Sequence, residues 1–114
     1  MTYKRIDIQN ILETNPLNIN VTYKDRPSSN PDSFITYHRV PNVAFNADNK
    51  IYKNKTTIQI SHFHKNKLES LESFLNDCFS AQMIYDFKEE DTDYIHTIYQ
   101  FDCFIGDWYG QQDY

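Results

Sequence analysis

The stretch 56-TTIQISHFHKNKLES-70 decides the fold, because it begins with the period of a β-strand and ends with the period of an α-helix. Polar and apolar residues alternate in its first half. Ile58 and Ile60 therefore share one face of a predicted strand with His62 and His64. We expect the core-facing surface of this strand to end at Ile60, so that both histidines emerge at the rim of the core.

The second half of the stretch predicts an amphipathic helix that begins at Asn66. Asn66 and Glu69 have the spacing of a capping box, in which two side chains satisfy free N–H groups at the start of a helix. Apolar residues then recur at intervals of three and four, which is typical of a helix packed against a core. This stripe consists of Leu68, Leu71, Phe74, Leu75, Cys78 and Phe79.

A second helix is predicted near the N-terminus. Thr2 is its possible N-cap. The helix ends at Asn15-Pro16, because the residue before a proline avoids helical dihedral angles. Its core-facing side consists of Ile8, Ile11 and Leu12.

The other elements are predicted strands. Residues 17–24 and 34–40 have strand composition, and residues 41–55 are irregular or form a strand with a turn. Residues 81–87 and 94–106 are separated by a short charged segment and predict an antiparallel hairpin. The order of elements indicates an α+β protein, with a mainly antiparallel sheet and two helices packed against it.

The length of 114 residues suggests a single domain, 1–114, with its core at about residues 3–105. The segment 106–114 is expected to be flexible or to form an interface. No apolar run approaches the roughly 20 residues of a membrane span, and the N-terminus does not resemble a secretion signal. We therefore expect a soluble protein made in the cytoplasm.

Charge is unevenly distributed along the chain. Residues 1–67 carry ten basic and five acidic side chains, whereas residues 68–114 carry one basic and eleven acidic ones. Either the two parts screen one another within the fold, or a basic surface of one subunit meets an acidic surface of the next. The net charge of -5 argues against nucleic acid as the main ligand, because phosphate binding needs a dense basic surface.

Catalytic and metal-binding patterns are weak. His62 and His64 could chelate zinc if His38 or His96 supplied a third ligand, but the sequence does not bring these residues together. Cys78 and Cys103 are expected to be buried reduced thiols, since neither has the spacing of a metal site. The acidic segment 89–93 fits a solvated hairpin tip better than a calcium loop. We therefore predict neither an enzyme nor a cofactor.

The run 34-FITYHRVPNVAFNADNKIYKNKTTIQISHFHKNKLESLESFLNDCF-79 resembles the tail terminator, or tail completion, proteins of long-tailed bacteriophages. The similar parts, in order, are ITYHRV, NADNK, TTIQISHFHK, LESLESFLNDCF and, in the following hairpin, EEDTDYIHTIYQF. The resemblance spans roughly residues 16–105. The resemblance lies in the order of the segments and in their residue patterns, and it includes no catalytic motif.

The resemblance implies a small α+β subunit that forms a homo-oligomeric ring, commonly a hexamer. Such a ring ends polymerisation of the tail tube and joins the tail to the head. Its expected partners are further copies of itself, the major tail tube protein and a head–tail connector protein. Its expected location is the virion, at the head–tail interface, after assembly in the host cytoplasm, with no membrane and no specific nucleic acid involved.

Ring closure needs two different patches that meet on neighbouring subunits. The loop 25–33 and the C-terminal segment, with its aromatic residues, are natural contact segments. The predicted interface residues are Arg26, Lys50, Lys53, Lys55, Glu89, Glu90, Asp91, Asp93, Trp108 and Tyr109.

Three alternatives to the terminator remain open. The first is a head-completion connector or stopper protein, the second a small metal-dependent enzyme that uses His62 and His64, and the third a host-directed adaptor.

Overall fold

A computed structural model describes residues 2–40 and 55–106. Within these ranges the elements are β1 (Thr2–Tyr3), α1 (Arg5–Leu12), β2 (Asn20–Tyr23), β3 (Ser33–Val40), β4 (Lys55–His64), α2 (Glu72–Phe79), β5 (Gln82–Lys88) and β6 (Ile95–Ile105). The predicted segment 41–55 lies outside the described residues except for Lys55. Neither described helix is long and apolar enough to cross a membrane.

The described strands form one mixed sheet in the order β1-β6-β4-β3-β2, and β5 also pairs with β6. The pairs β3–β4, β4–β6 and β5–β6 are antiparallel, in agreement with the predicted mainly antiparallel sheet and the predicted hairpin. The pairs β2–β3 and β1–β6 are parallel. The chain between β2 and β3 returns to the same end of the sheet before β3 begins, which makes these two neighbouring strands parallel.

The main core lies between one face of the sheet and the two helices. The alternation predicted for β4 is confirmed, because Ile58 and Ile60 are fully buried on this face. From the helices, Ile8, Leu75 and Phe79 pack against the same face. On the opposite face, a smaller cluster consists of Phe34, Phe63 and Tyr94.

The N-terminal helix is present but begins differently from the prediction. Thr2 belongs to β1, and the N-cap of α1 is Lys4, whose backbone N–H donates to the Asp7 carboxylate at 2.8 Å. The predicted cap is wrong because pairing of Thr2 with the end of β6 fixes that residue in an extended conformation. After the helix, the buried Asn15 side chain donates to the Leu12 carbonyl at 2.9 Å and so holds the turn that leaves the helix.

The second helix begins at Glu72 and not at Asn66. Leu68, predicted to lie on its apolar stripe, is 91% exposed. The Asn66 side chain accepts a hydrogen bond from the Leu68 N–H at 2.9 Å and forms a tight turn. Glu69 does not cap a helix, because its carboxylate binds His62.

Candidate functional site

The two histidines of β4 lie inside the protein. His62 has no exposed surface and His64 is 4% exposed, so the expectation that they emerge at the rim is wrong. The reason is that the chain after β4 folds back over the end of the strand. Asn66 and Glu69 of this returning segment contact the two imidazole rings directly.

The imidazole rings of His62 and His64 stack, with 4.2 Å between their centroids. His62 Nε2 lies 2.7 Å from Glu69 Oε2, so its N–H donates to the carboxylate. His64 Nδ1 lies 2.8 Å from the Asn66 carbonyl oxygen and donates to it. The pair therefore holds the segment between β4 and α2 against the sheet.

The same pair is connected to the edge of the sheet through Thr97 of β6. The Thr97 hydroxyl lies 3.0 Å from His64 Nε2 and 2.9 Å from Asp86 Oδ1 on β5. A hydroxyl carries a single hydrogen, so it donates to Asp86 when His64 Nε2 carries a proton and can donate to His64 otherwise. The polar network thus joins β4, β6 and β5.

Burial lowers the pKa of His62 from its ordinary value to about 4, although the hydrogen bond to Glu69 acts in the opposite direction. His62 Nδ1 is buried and has no hydrogen-bond partner within the described part of the chain. At neutral pH, His62 is therefore an uncharged donor to Glu69. His62 thus holds Glu69 against β4 through one hydrogen bond.

The three-histidine zinc site is not assembled in the structure. His38 and His96 lie on the face of the sheet opposite His62 and His64, as strand alternation requires. His96 stacks on Phe63 of the outer aromatic cluster, with 4.1 Å between their centroids. Across residues 2–40 and 55–106, no group of three possible metal ligands comes together.

An ion pair on the outer face joins the two oppositely charged parts of the sequence within one chain. The Arg26 guanidinium donates twice to the Glu89 carboxylate, with Nη1 at 3.2 Å from Oε1. The same guanidinium lies over the Phe63 ring, 4.2 Å from its centroid. Its hydrogen bonds lower the pKa of the Glu89 carboxyl. This clasp binds the loop after β2 to the tip of the β5–β6 hairpin.

The clasp is expected to contribute about 1 kcal/mol, since Arg26 is partly exposed but also packs on an aromatic ring. A double-mutant cycle with Arg26→Ala and Glu89→Gln in urea unfolding measures the interaction free energy. Lys67→Ala, an exposed lysine on the turn after β4, is the matched control and should change stability by less than about 0.5 kcal/mol. An interaction free energy of zero in the cycle would contradict the clasp.

The remaining predicted interface residues occupy different places. Glu90, Asp91 and Asp93 are exposed at the tip of the hairpin. Lys55 is half-buried at the start of β4. Lys50, Lys53, Trp108 and Tyr109 lie outside the described residues.

One exposed apolar surface was missed in the sequence. Met83, Ile84 and Tyr85 of β5, here called the β5 patch, are 40%, 52% and 60% exposed. The pattern had placed Met83 and Tyr85 on one face, but a bulge between them shifts the register against β6. The sequence did contain one sign of this surface: Met83, Ile84 and Tyr85 are consecutive apolar residues that do not alternate with polar ones.

Both cysteines are free thiols. Burial raises the pKa of Cys103 to about 11 and also raises that of Cys78. Because the thiolate is the reactive form, both side chains behave as small apolar residues at neutral pH.

A scan against protein-family models and searches of curated proteins and of solved structures find no match to this chain.

Proposed function

We propose that the protein is a structural subunit of a phage tail, a tail terminator that forms a ring at the head-proximal end of the tail tube. The observation that carries the proposal is the β5 patch, an exposed apolar surface on a strand that leads into the acidic hairpin tip. Exposed apolar residues with a charged rim are typical of protein–protein interfaces. The resemblance of the order of sequence segments to that of tail terminator proteins is what points to this particular class of subunit.

The charges of the hairpin favour a basic partner surface. Glu90, Asp91 and Asp93 are exposed at its tip, and Lys88 is the one lysine or arginine in the hairpin sequence 82–105. The basic segment that contains Lys53 and Lys55 offers the complementary charge on a neighbouring copy. Two different patches that meet in this way give the head-to-tail contact from which rings close.

The direct test adds the purified protein to tail tubes that lack a terminator. Electron micrographs should show one ring at one end of each tube, and the tubes should stop growing. Rings that bind isolated head connectors and leave tube growth unchanged would instead indicate a connector or stopper. A protein that binds neither the tail tubes nor the head connectors would overturn the assembly role.

Charge reversal provides a second test of this ring. Lys53→Glu or Lys55→Glu should weaken ring formation more at low salt than at high salt, because salt screens exposed charges over about 8–10 Å. Ring yield measured by sedimentation at both salt concentrations checks this expectation. Lys67→Glu makes the same change in net charge on the turn after β4 and should leave the ring yield unchanged. Equal losses at both salts would remove the electrostatic part of the proposal.

A further inference from the structure

Within the described residues, the outer edge of β5 is unpaired. The Glu89 N–H donates to the Tyr94 carbonyl at 3.0 Å, which establishes the hydrogen-bonded positions of the hairpin. Because these positions alternate along an antiparallel pair, the backbone groups of Phe87 point toward β6. Those of Asp86 and Lys88 point away from the sheet. Among the described residues, none bonds to these outward groups.

At the opposite edge of the described sheet, the outward carbonyls of β2 are occupied. The Lys24 N–H after β2 donates to the Tyr37 carbonyl of β3 at 3.0 Å, so the backbone groups of the alternate residues Val21 and Tyr23 point outward from this parallel pair. The Val21 carbonyl accepts a hydrogen bond from the Gln9 side chain of α1 at 3.1 Å, and the Tyr23 carbonyl accepts one from the Asp25 N–H at 2.8 Å. Natural sheets commonly protect their edges in this way. On β5, by contrast, the outward groups of Asp86 and Lys88 have no partner among the described residues, so a second β5 is a matching edge that this chain offers.

The charges of β5 select one way for two copies to pair. An antiparallel pair centred on Phe87 places Asp86 opposite Lys88 of the second copy, and Lys88 opposite its Asp86. A pair centred on Asp86 would place two carboxylates opposite each other, and a pair centred on Lys88 two ammonium groups. Opposite charges in directly facing positions stabilise a sheet, and like charges destabilise it. The strand is therefore self-complementary about Phe87.

We propose that two copies of this chain pair edge to edge through β5, antiparallel about a two-fold axis at Phe87. Asp86 and Lys88 of each copy make four backbone hydrogen bonds with Lys88 and Asp86 of the other. Tyr85 and Phe87, whose ring centroids are 5.3 Å apart, continue into the same two rings of the second copy. This dimer is distinct from the proposed ring. It uses the strand that carries the β5 patch, which the ring also uses. The dimer is therefore a resting form that competes with ring assembly.

The contact is small, because one short strand from each copy supplies it. Interfaces well below about 1,200 Å² of total buried area belong to weak, reversible associations. We therefore expect a dissociation constant on the order of 0.1 mM. Such a dimer separates readily when a ring competes for the strand.

Sedimentation equilibrium of the full chain, without tail tubes, tests the dimer. The average mass should rise from that of the 13.7 kDa monomer toward twice this value as the concentration reaches about 1 mM. Lys88→Pro should weaken the association at least about tenfold, because it removes an outward N–H on each copy while the β5–β6 ladder stays intact. Lys88→Glu should weaken it by a similar factor, and more at low salt.

Two controls make the result specific. Lys67→Glu changes the net charge equally and should leave the association unchanged. Phe87→Pro removes an N–H that points toward β6, so it should destabilise the fold where Lys88→Pro does not. A wild-type protein that stays monomeric at about 1 mM, or a folded Lys88→Pro that associates as the wild type does, would overturn the dimer. The tube assay is scored separately, so the two proposals fail independently.

Discussion

Acidification from pH 7 to pH 4 is expected to lower the free energy of unfolding through His62 by about 3 kcal/mol. In the folded state burial lowers the pKa of His62 to about 4, whereas the unfolded chain binds the proton near the ordinary value of 6.5. The unfolded state therefore binds more protons in this interval. The contribution of His62 is complete above about pH 6.5 and declines as the pH falls toward about 4.

Urea unfolding at a series of pH values measures this effect, and His62→Gln is the comparison because glutamine does not titrate. The free energy of unfolding of the variant should depend less on pH than that of the wild type between pH 6.5 and pH 4. His38 and His96, which lie on the opposite face of the sheet from His62, are present in both proteins and cancel in the difference. Parallel curves would contradict the prediction. So would a His62 ring signal that titrates near pH 6.5 in an NMR experiment on the native protein.

Leu75→Ala is expected to destabilise the protein by about 2–5 kcal/mol, whereas Leu68→Ala should change stability by less than about 0.5 kcal/mol. The sequence placed both leucines on one helical stripe. In the structure Leu75 is fully buried in the main core, but Leu68 is 91% exposed on the turn after β4. The cavity left by the first truncation has no counterpart in the second.

Chemical denaturation of the two variants side by side checks this contrast, since both remove the same atoms. The slopes against denaturant should match that of the wild type if each variant keeps the same folded surface. Similar losses for the two leucines would mean that Leu68 belongs to the core and that α2 begins near Asn66. A neutral Leu75→Ala would contradict the described packing of α2.

The strongest local patterns predicted the elements that the structure contains. Strict alternation in residues 56–64 predicted β4, and the apolar runs around the acidic segment 89–93 predicted the β5–β6 hairpin. These predictions succeeded because a strand or helix that packs one face must repeat that face in the sequence. The α+β class follows from the order of those elements.

Residues distant in sequence decided the site. Glu69 has the spacing of a helix cap, but its carboxylate accepts a hydrogen bond from the buried His62 imidazole, and α2 begins at Glu72. No local pattern indicates that contact. Arg26 and Glu89 were predicted to meet neighbouring subunits, and the structure pairs them within the chain. Contacts of this kind depend on which strands become neighbours.

The sequence by itself determined the presence of both helices, of the strands β2 to β6 and of the α+β class, because each of these depends on the spacing of nearby residues. Only the tertiary structure decided that β1 and β2 run parallel to their neighbours, that His62 and His64 are buried, and that among the described residues the outward carbonyls of β2 are occupied while the outer edge of β5 is unpaired. Each of these outcomes depends on a hydrogen bond or a covered surface supplied by a segment outside the element itself. A local pattern carries no information about that segment's position.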